Sequence, residues 1–256
     1  MTHSHVTINR DHWNAMASDW AAEGARAWAS DVPYWGAWSL PEHDLRLLPE
    51  DMTGMDAIEL GCGTGYVSAW MARRGARVTG IDMSEGQLDT ARRLASEHCA
   101  QINFAHGNAE SVDRPASAFD FAISEYGAAI WCDPTVWLPE AHRLLRPGGR
   151  LVFLGHHPLM VACIPPSGAD CERVLHVPYR GMNRQDYTEV SVDPGGIEFN
   201  MPVSDWMALF EKIGFGVIRY QELYAPESAT EDAYGIPAEW AKAYPCEQVW
   251  HLQKRA

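Results

Sequence analysis

The chain has 256 residues and a formal charge of −14, enough length to bury a sizeable core and too much negative charge to favour nucleic acid or an anionic membrane. The densest basic clusters, ARRGAR and HRLLRPGGR, are short and read as helix ends. The six cysteines include no CxxC pair, the start MTHSHVTINRDHWN has no apolar signal core, and Leu151 to Ile164 is broken by Gly155, His156, His157 and Pro158, so a reducing cytoplasm is expected, with no membrane and no nucleic-acid partner.

Residues 9–38 carry Trp13, Ala17, Trp20, Ala21, Ala27 and Trp28 close to helical spacing, which predicts one or two helices laid over a sheet. From 56 to 157 short apolar runs alternate with helical patterns. DAIELGC (56–62), ARVTGID (76–82), INFAHGN (102–108), FDFAISEY (119–126) and RLVFLGHH (150–157) suit strands buried on both faces. Between them, Ser84 with Gln87 reads as a capping box, and Asp133-Pro134 as an N-cap with proline at the first helical position. That second helix is expected to stop before Pro147-Gly148-Gly149. Strands alternating with helices imply a mostly parallel, doubly wound α/β sheet. Residues 158–200, rich in Pro and Gly, read as an insertion with a hairpin at Pro194-Gly195-Gly196. A helix follows from Ser204 to Gly214, then two strands, GVIRYQELY and EQVWHLQKR. One domain is expected: a helical lid (1–50), a cofactor-binding core (56–157), a substrate-side insertion (158–200) and a C-terminal helix and hairpin (201–256).

Gly61, Gly63 and Gly65 lie between a predicted strand and a predicted helix, a context that admits close approach of a ligand to backbone. The plain alternative is a tight turn. Asp82, 21 residues after Gly61, ends the next strand, where a carboxylate can accept from both ribose hydroxyls of an adenosine-containing ligand. A dinucleotide wants GxGxxG, and the sixth position here is Tyr66. The spacing GxGxG, preceded by Glu59, better suits S-adenosylmethionine, which has no phosphate.

ELGCGTGYVSAWMARRGARVTGIDMS, GNAESV, FDFAISEYGAAIW and EAHRLLRPGGRLVF, in that order, resemble successive motifs of the class I S-adenosylmethionine-dependent methyltransferases, especially their small-molecule branch. The resemblance implies a seven-stranded sheet whose antiparallel last strand lies beside strand five. It implies that Gly61, Cys62 and Gly63 line the methionine part of the cofactor, with Glu59 facing its amino group. Asp82 would hold the ribose, Met83 would pack on the adenine, Asn108 and Ala109 would border its edge, and Ser124 would offer its carbonyl to the amino group. Ser124-Glu125-Tyr126 lacks the Asp/Asn-Pro-Pro-aromatic signature of nucleic-acid amino methylation. The competing readings are a nicotinamide-dependent oxidoreductase, a nucleic-acid methyltransferase and a non-catalytic S-adenosylmethionine-binding protein.

Methyl transfer from a sulfonium is an in-line displacement that requires alignment and exclusion of water, with a base only where the nucleophile must lose a proton early. The loops after strands four and five offer Glu125, Tyr126, Trp131, His156 and His157. Either histidine is a candidate base or a packed residue, and Glu125 is a contact for a cationic substrate or a solvated acid. A metal site on His156, His157 and His176 lacks the carboxylate-rich pattern of metal-dependent catechol-type enzymes, and none is expected. Trp13 and Trp20 read as the buried face of a helix. Tyr34 and Trp35, after a proline, read as a lid over an aromatic substrate or a cationic amine.

Overall fold

The computed structural model describes residues 4–255, so the first three residues of the expected lid and the last residue of the chain lie outside it. A single helix α1 (His5–Ala29) comes first, then a small ladder of β1 (Tyr34–Trp35) and β2 (Leu40–Pro41) and the short α2 (Glu42–Leu45). The central part runs β3 (Asp56–Leu60), α3 (Tyr66–Arg73), β4 (Arg77–Asp82), α4 (Glu85–Glu97), β5 (Ile102–His106), β6 (Phe119–Glu125), α5 (Gly127–Trp131), α6 (Pro134–Leu144) and β7 (Leu145–His156). Then follow α7 (Pro158–Ala162), β8 (Arg184–Asp186), β9 (Ile197–Phe199), α8 (Val203–Ile213), β10 (Phe215–Leu223), α9 (Ala238–Ala241) and β11 (Glu247–Lys254).

Seven strands form one sheet in the order β10-β11-β7-β6-β3-β4-β5. β3 to β7 are parallel, while β11 runs antiparallel to β7 and β10 antiparallel to β11. The last strand therefore lies beside the fifth strand of the core, as the resemblance implies. The chain leaves β3 toward β4 on one side and later fills β6 on the other, so the C-terminal ends of β3 and β6 flank a topological switch point.

Alternation along the central strands feeds a core on each face. Phe121 and Ile123 of β6 join Trp70 and Met71 of α3 on one side. Ala122 joins Trp137 and Leu138 of α6 and Trp206 and Phe210 of α8 on the other. β5 departs from expectation: it is the edge strand, and Asn103 and His106 are exposed. The Pro147-Gly148-Gly149 turn lies inside β7, where Gly148 has φ +78° and the register against β6 slips between Phe119 and Phe121.

Local signals set the helix ends. Asp133 Oδ1 accepts from Thr135 N at 2.8 Å ahead of Pro134, and Ser84 Oγ accepts from Gln87 N at 3.2 Å. The Ser84 box is only half formed, because Gln87 Oε1 has no hydrogen-bond partner. The expected hairpin in the insertion is present, β8 pairing with β9 across Pro194-Gly195-Gly196. No helix among the described residues is long and apolar enough to cross a membrane.

Candidate functional site

A cavity of 530 Å³ opens at the switch point, walled by the glycine loop, the ends of β4, β6 and β7, α1, and the insertion. Gly61 N and Cys62 N both donate to Ile81 O, at 2.8 and 2.9 Å, folding the loop onto β4. Gly61 has φ +76°, and a Cβ there would lie 2.7 Å from Ala128 N and from Gly127 Cα, so glycine is demanded by both conformation and space. Gly63, at φ +50°, is different: the nearest atom to its missing Cβ is Gln87 Oε1 at 4.0 Å, leaving open cavity in front of it.

Two carboxylates hold this loop. Asp82 accepts from Gly63 N through Oδ2 and from Ser84 N through Oδ1, both at 2.8 Å. Burial raises its pKa against the pull of these amides. Glu59 is 2% exposed and its Oε2 accepts from Ser68 N and Ser68 Oγ, at 2.7 and 2.6 Å. Burial raises the Glu59 pKa too. Ser68 N is a first-turn amide of α3, so a carboxylate already occupies the place where a dinucleotide's phosphate would meet the helix.

Beyond the loop the wall becomes aromatic and acidic. Glu125, buried at the end of β6, accepts from Gly36 N at 3.0 Å and from the Tyr66 hydroxyl. Burial pushes its pKa up to about 7. Behind it, Glu247 on β11 is fully buried, accepts from Ala37 N at 3.0 Å and from the Tyr126 hydroxyl, and has one carboxylate oxygen without a partner. Burial raises its pKa as well. His156 pairs with Glu198 of β9, Nδ1 to Oε2 at 3.2 Å. Burial opposes protonation of His156, but Glu198 and Glu247 outweigh it, and its pKa lies above the ordinary histidine value.

The structure brings Glu59, Gly61, Cys62, Gly63, Asp82, Met83, Ala109, Glu125, Tyr126, Trp131, His156 and Tyr34 onto one cavity wall. Four expected residues stand elsewhere. Asn108 lies off the wall, its Oδ1 accepting from Glu110 N in a local turn. Ser124 is fully buried, and its hydroxyl ties Leu60 O (2.8 Å) to Ala129 N (3.1 Å). His157 caps α7 and is no base at this site. Its Nδ1 accepts from Leu159 N at 3.1 Å, and burial holds its pKa down to about 4. Trp35 is core rather than lid: it is fully buried, edge-on to Trp70, with its indole N–H on Glu42 at 2.7 Å.

The tryptophans at helical spacing correct the reading in the other direction. Trp13 and Trp20 line the cavity, because α1 crosses the glycine loop instead of lying flat on the sheet. Gly24 packs against Thr64 and the Trp28 indole donates to Thr64 O at 2.8 Å, which sets that crossing. Sequence reasoning missed Gln87, Glu198, Tyr66 and Tyr234 as wall residues. Only Tyr66 left a sign, standing where a dinucleotide loop wants glycine.

Residues 58–153 match the profile of a family described as "Methyltransferase domain". Over this segment the chain is similar to the S-adenosylmethionine-dependent methyltransferases. The chain is 38% identical over 101 residues to a malonyl-[acyl-carrier protein] O-methyltransferase of Serratia marcescens, covering 39% of this chain and 38% of that protein. It is 36% identical over 96 residues to a ubiquinone biosynthesis O-methyltransferase of Ruegeria pomeroyi, covering 38% and 39%. The chain thus spans about two fifths of the length of the curated relatives it matches. An S-adenosylmethionine-dependent methyltransferase from Mesorhizobium loti superposes at TM-score 0.66 with 24% identity, over 82% of this chain and 94% of that one. The [4+2]-cyclase SpnF superposes at 0.65 with 18% identity, over 99% and 98%. A cyclase on this fold means that fold alone does not decide the reaction.

The loop end of the cavity fits S-adenosylmethionine. Asp82 and the unpartnered Gln87 Oε1 are acceptors for hydroxyls, and Glu59 is an acceptor for an ammonium. The open space at Gly63 admits a ligand against backbone, and Met83 and Ala109 give an apolar side. Among the described residues lining this end there is no Lys or Arg to pair with a phosphate.

Proposed function

We propose that the protein transfers the methyl group of S-adenosylmethionine to a small molecule by in-line displacement. The observation that carries this reading is the pair of carboxylates, Glu59 and Asp82, set around a glycine loop whose Gly63 faces open cavity. The cofactor, when bound, supplies an activated methyl on a sulfonium. Gly61, Cys62 and Gly63 would hold its methionine part, Glu59 its ammonium, and Asp82 with Gln87 its ribose. α1 and the insertion exclude water from the reacting centre, and the Glu125 end of the cavity takes the acceptor. No oxyanion develops in this displacement, so the site needs no cluster of donors aimed at one oxygen.

Calorimetric titration with S-adenosylhomocysteine tests the reading, with NADH as control and Asp82→Ala beside the unaltered protein. Binding that the substitution weakens by about a hundredfold, equivalent to losing two charge-assisted hydrogen bonds, is expected. Binding of NADH in preference to S-adenosylhomocysteine would turn the reading toward the oxidoreductase.

A further inference from the structure

Among the described residues, those lining the cavity include six acids (Glu23, Glu59, Asp82, Glu125, Asp193 and Glu198) and no Lys or Arg. Glu59 and Asp82 belong to the cofactor end. The rest of the charge has to be accounted for at the acceptor end, where Glu198 is paired with His156. Glu125 and Glu247 are buried, and among the described residues neither has a salt-bridge partner. Buried carboxylates ordinarily have a cation or a full set of donors, and one oxygen of Glu247 has neither. Near Glu125 stand Tyr34, Tyr66, Tyr126 and Tyr234, the last stacked on Trp20 at 5.9 Å and 16°, and Trp131 lines the same cavity. Electron-rich faces around a carboxylate make a container for an organic cation.

We propose that the acceptor is an organic ammonium, held among these aromatic rings with Glu125 as its counter-ion and proton acceptor. This assignment rests on the methyl-transfer reading above. An ammonium has no lone pair, so one N–H proton must first pass to the Glu125 carboxylate, leaving a neutral amine and a carboxylic acid. The nitrogen lone pair then forms the bond to the methyl carbon as the carbon–sulfur bond breaks and its electrons return to sulfur. The products are the N-methylated ammonium and a neutral thioether. A carboxylate whose pKa stands at about 7 is matched to this proton transfer near neutral pH. The groups that face it are Glu59 of β3, Tyr66 of α3, Tyr34 of β1, Glu247 of β11, Tyr234 ahead of α9, the adjacent Tyr126 and, past it, His156 of β7. An anionic acceptor would meet six acids and two histidines, His156 already engaged by Glu198 and His12 stacked on Trp131.

The test is a titration of the protein, with and without saturating S-adenosylhomocysteine, using tryptamine, its neutral counterpart tryptophol and its anionic counterpart indole-3-acetate. Tryptamine is expected to bind at least about tenfold more tightly than tryptophol, with indole-3-acetate weakest, and Glu125→Gln is expected to erase the preference while S-adenosylhomocysteine still binds. With S-adenosylmethionine present, kcat/KM for tryptamine should fall below pH 7 as Glu125 takes up a proton. Tyr66→Phe removes a hydrogen bond that favours the ionised form, so it should move that limb to higher pH. Equal binding of the three probes, preference for the acid, no binding of the amine, or an unchanged preference in Glu125→Gln would each overturn the assignment. Because the amine is titrated in both conditions, its result stands apart from whether the cofactor analogue binds.

Discussion

Glu125→Gln is expected to make the protein more stable, and increasingly so as pH rises. The carboxyl group is 8% exposed, has no salt-bridge partner among the described residues, and has its pKa raised from 4.5 to about 7, chiefly by burial. Below 4.5 the group is neutral in both the folded and the unfolded chain. Between 4.5 and 7 the unfolded chain gives up the proton first, so stability is lost as pH rises through this window, and above 7 the loss is complete. At about 1.4 kcal/mol for each tenfold change in proton affinity, the loss reaches about 3 kcal/mol at pH 8.5 and is under about 1 kcal/mol at pH 5. Glutamine has the same shape, can accept from Gly36 N and can donate to the Tyr66 oxygen, but it does not ionise. Urea unfolding of both proteins at the two pH values isolates the effect, since any fixed cost of the substitution cancels in the difference. The variant should gain about 2–3 kcal/mol more, relative to the unaltered protein, at pH 8.5 than at pH 5, or roughly 5–10 °C in melting temperature. A gain independent of pH, or one larger at pH 5, would refute the argument that an uncompensated charge is buried there.

Two further pairs of substitutions separate structure from function. Gly61→Ala forces a methyl into the Gly127–Ala128 backbone and should prevent stable folding. Gly63→Ala meets open space, should cost only about 1 kcal/mol of left-handed strain, and should abolish S-adenosylhomocysteine binding in a folded protein, as circular dichroism and calorimetry together would reveal. Trp35→Ala should cost about 3–5 kcal/mol in denaturant unfolding because the ring is entirely within the core, whereas Trp20→Ala should change stability by under about 1 kcal/mol and weaken acceptor binding instead.

What could be read in the chain follows from how local each determinant is. The β3–loop–α3 segment and Asp82 are contiguous or one strand apart, so residue type and spacing reveal the cofactor end directly. Helix ends were equally legible where a side chain caps its own backbone, as at Asp133 and Ser84. The aromatic assignments failed because helical spacing states that one face of α1 is apolar but not what that face meets. Trp28 meets the core and Trp20 meets the cavity from the same helix. Trp35 misled for a related reason: a proline turn places it near the surface in sequence terms, yet Glu42 satisfies its indole and Trp70 receives its ring. Glu198 could not have been found at all, since a lone acid in a short hairpin strand has no pattern until the hairpin folds against His156.

The same distinction bears on how far the relatives inform the acceptor. The family match, 58–153, contains the cofactor end and, of the acceptor end, Tyr66, Glu125, Tyr126 and Trp131. Trp20, Tyr34, Asp193, Glu198 and Tyr234 all lie outside it. Those outer segments are fixed to the core by specific bonds: the fully buried Asn9 donates to Trp131 O and Ile197 O, at 2.9 and 2.8 Å, and accepts from Ile197 N at 2.7 Å. One asparagine thereby joins α1, α5 and the insertion hairpin around the acceptor end. The wall that would select a substrate is held together by contacts that the matched segment does not contain. A relative sharing only that segment shares the means of holding a methyl donor, and an oxygen acceptor in such a relative places no demand on the acids and rings that this chain assembles from elsewhere.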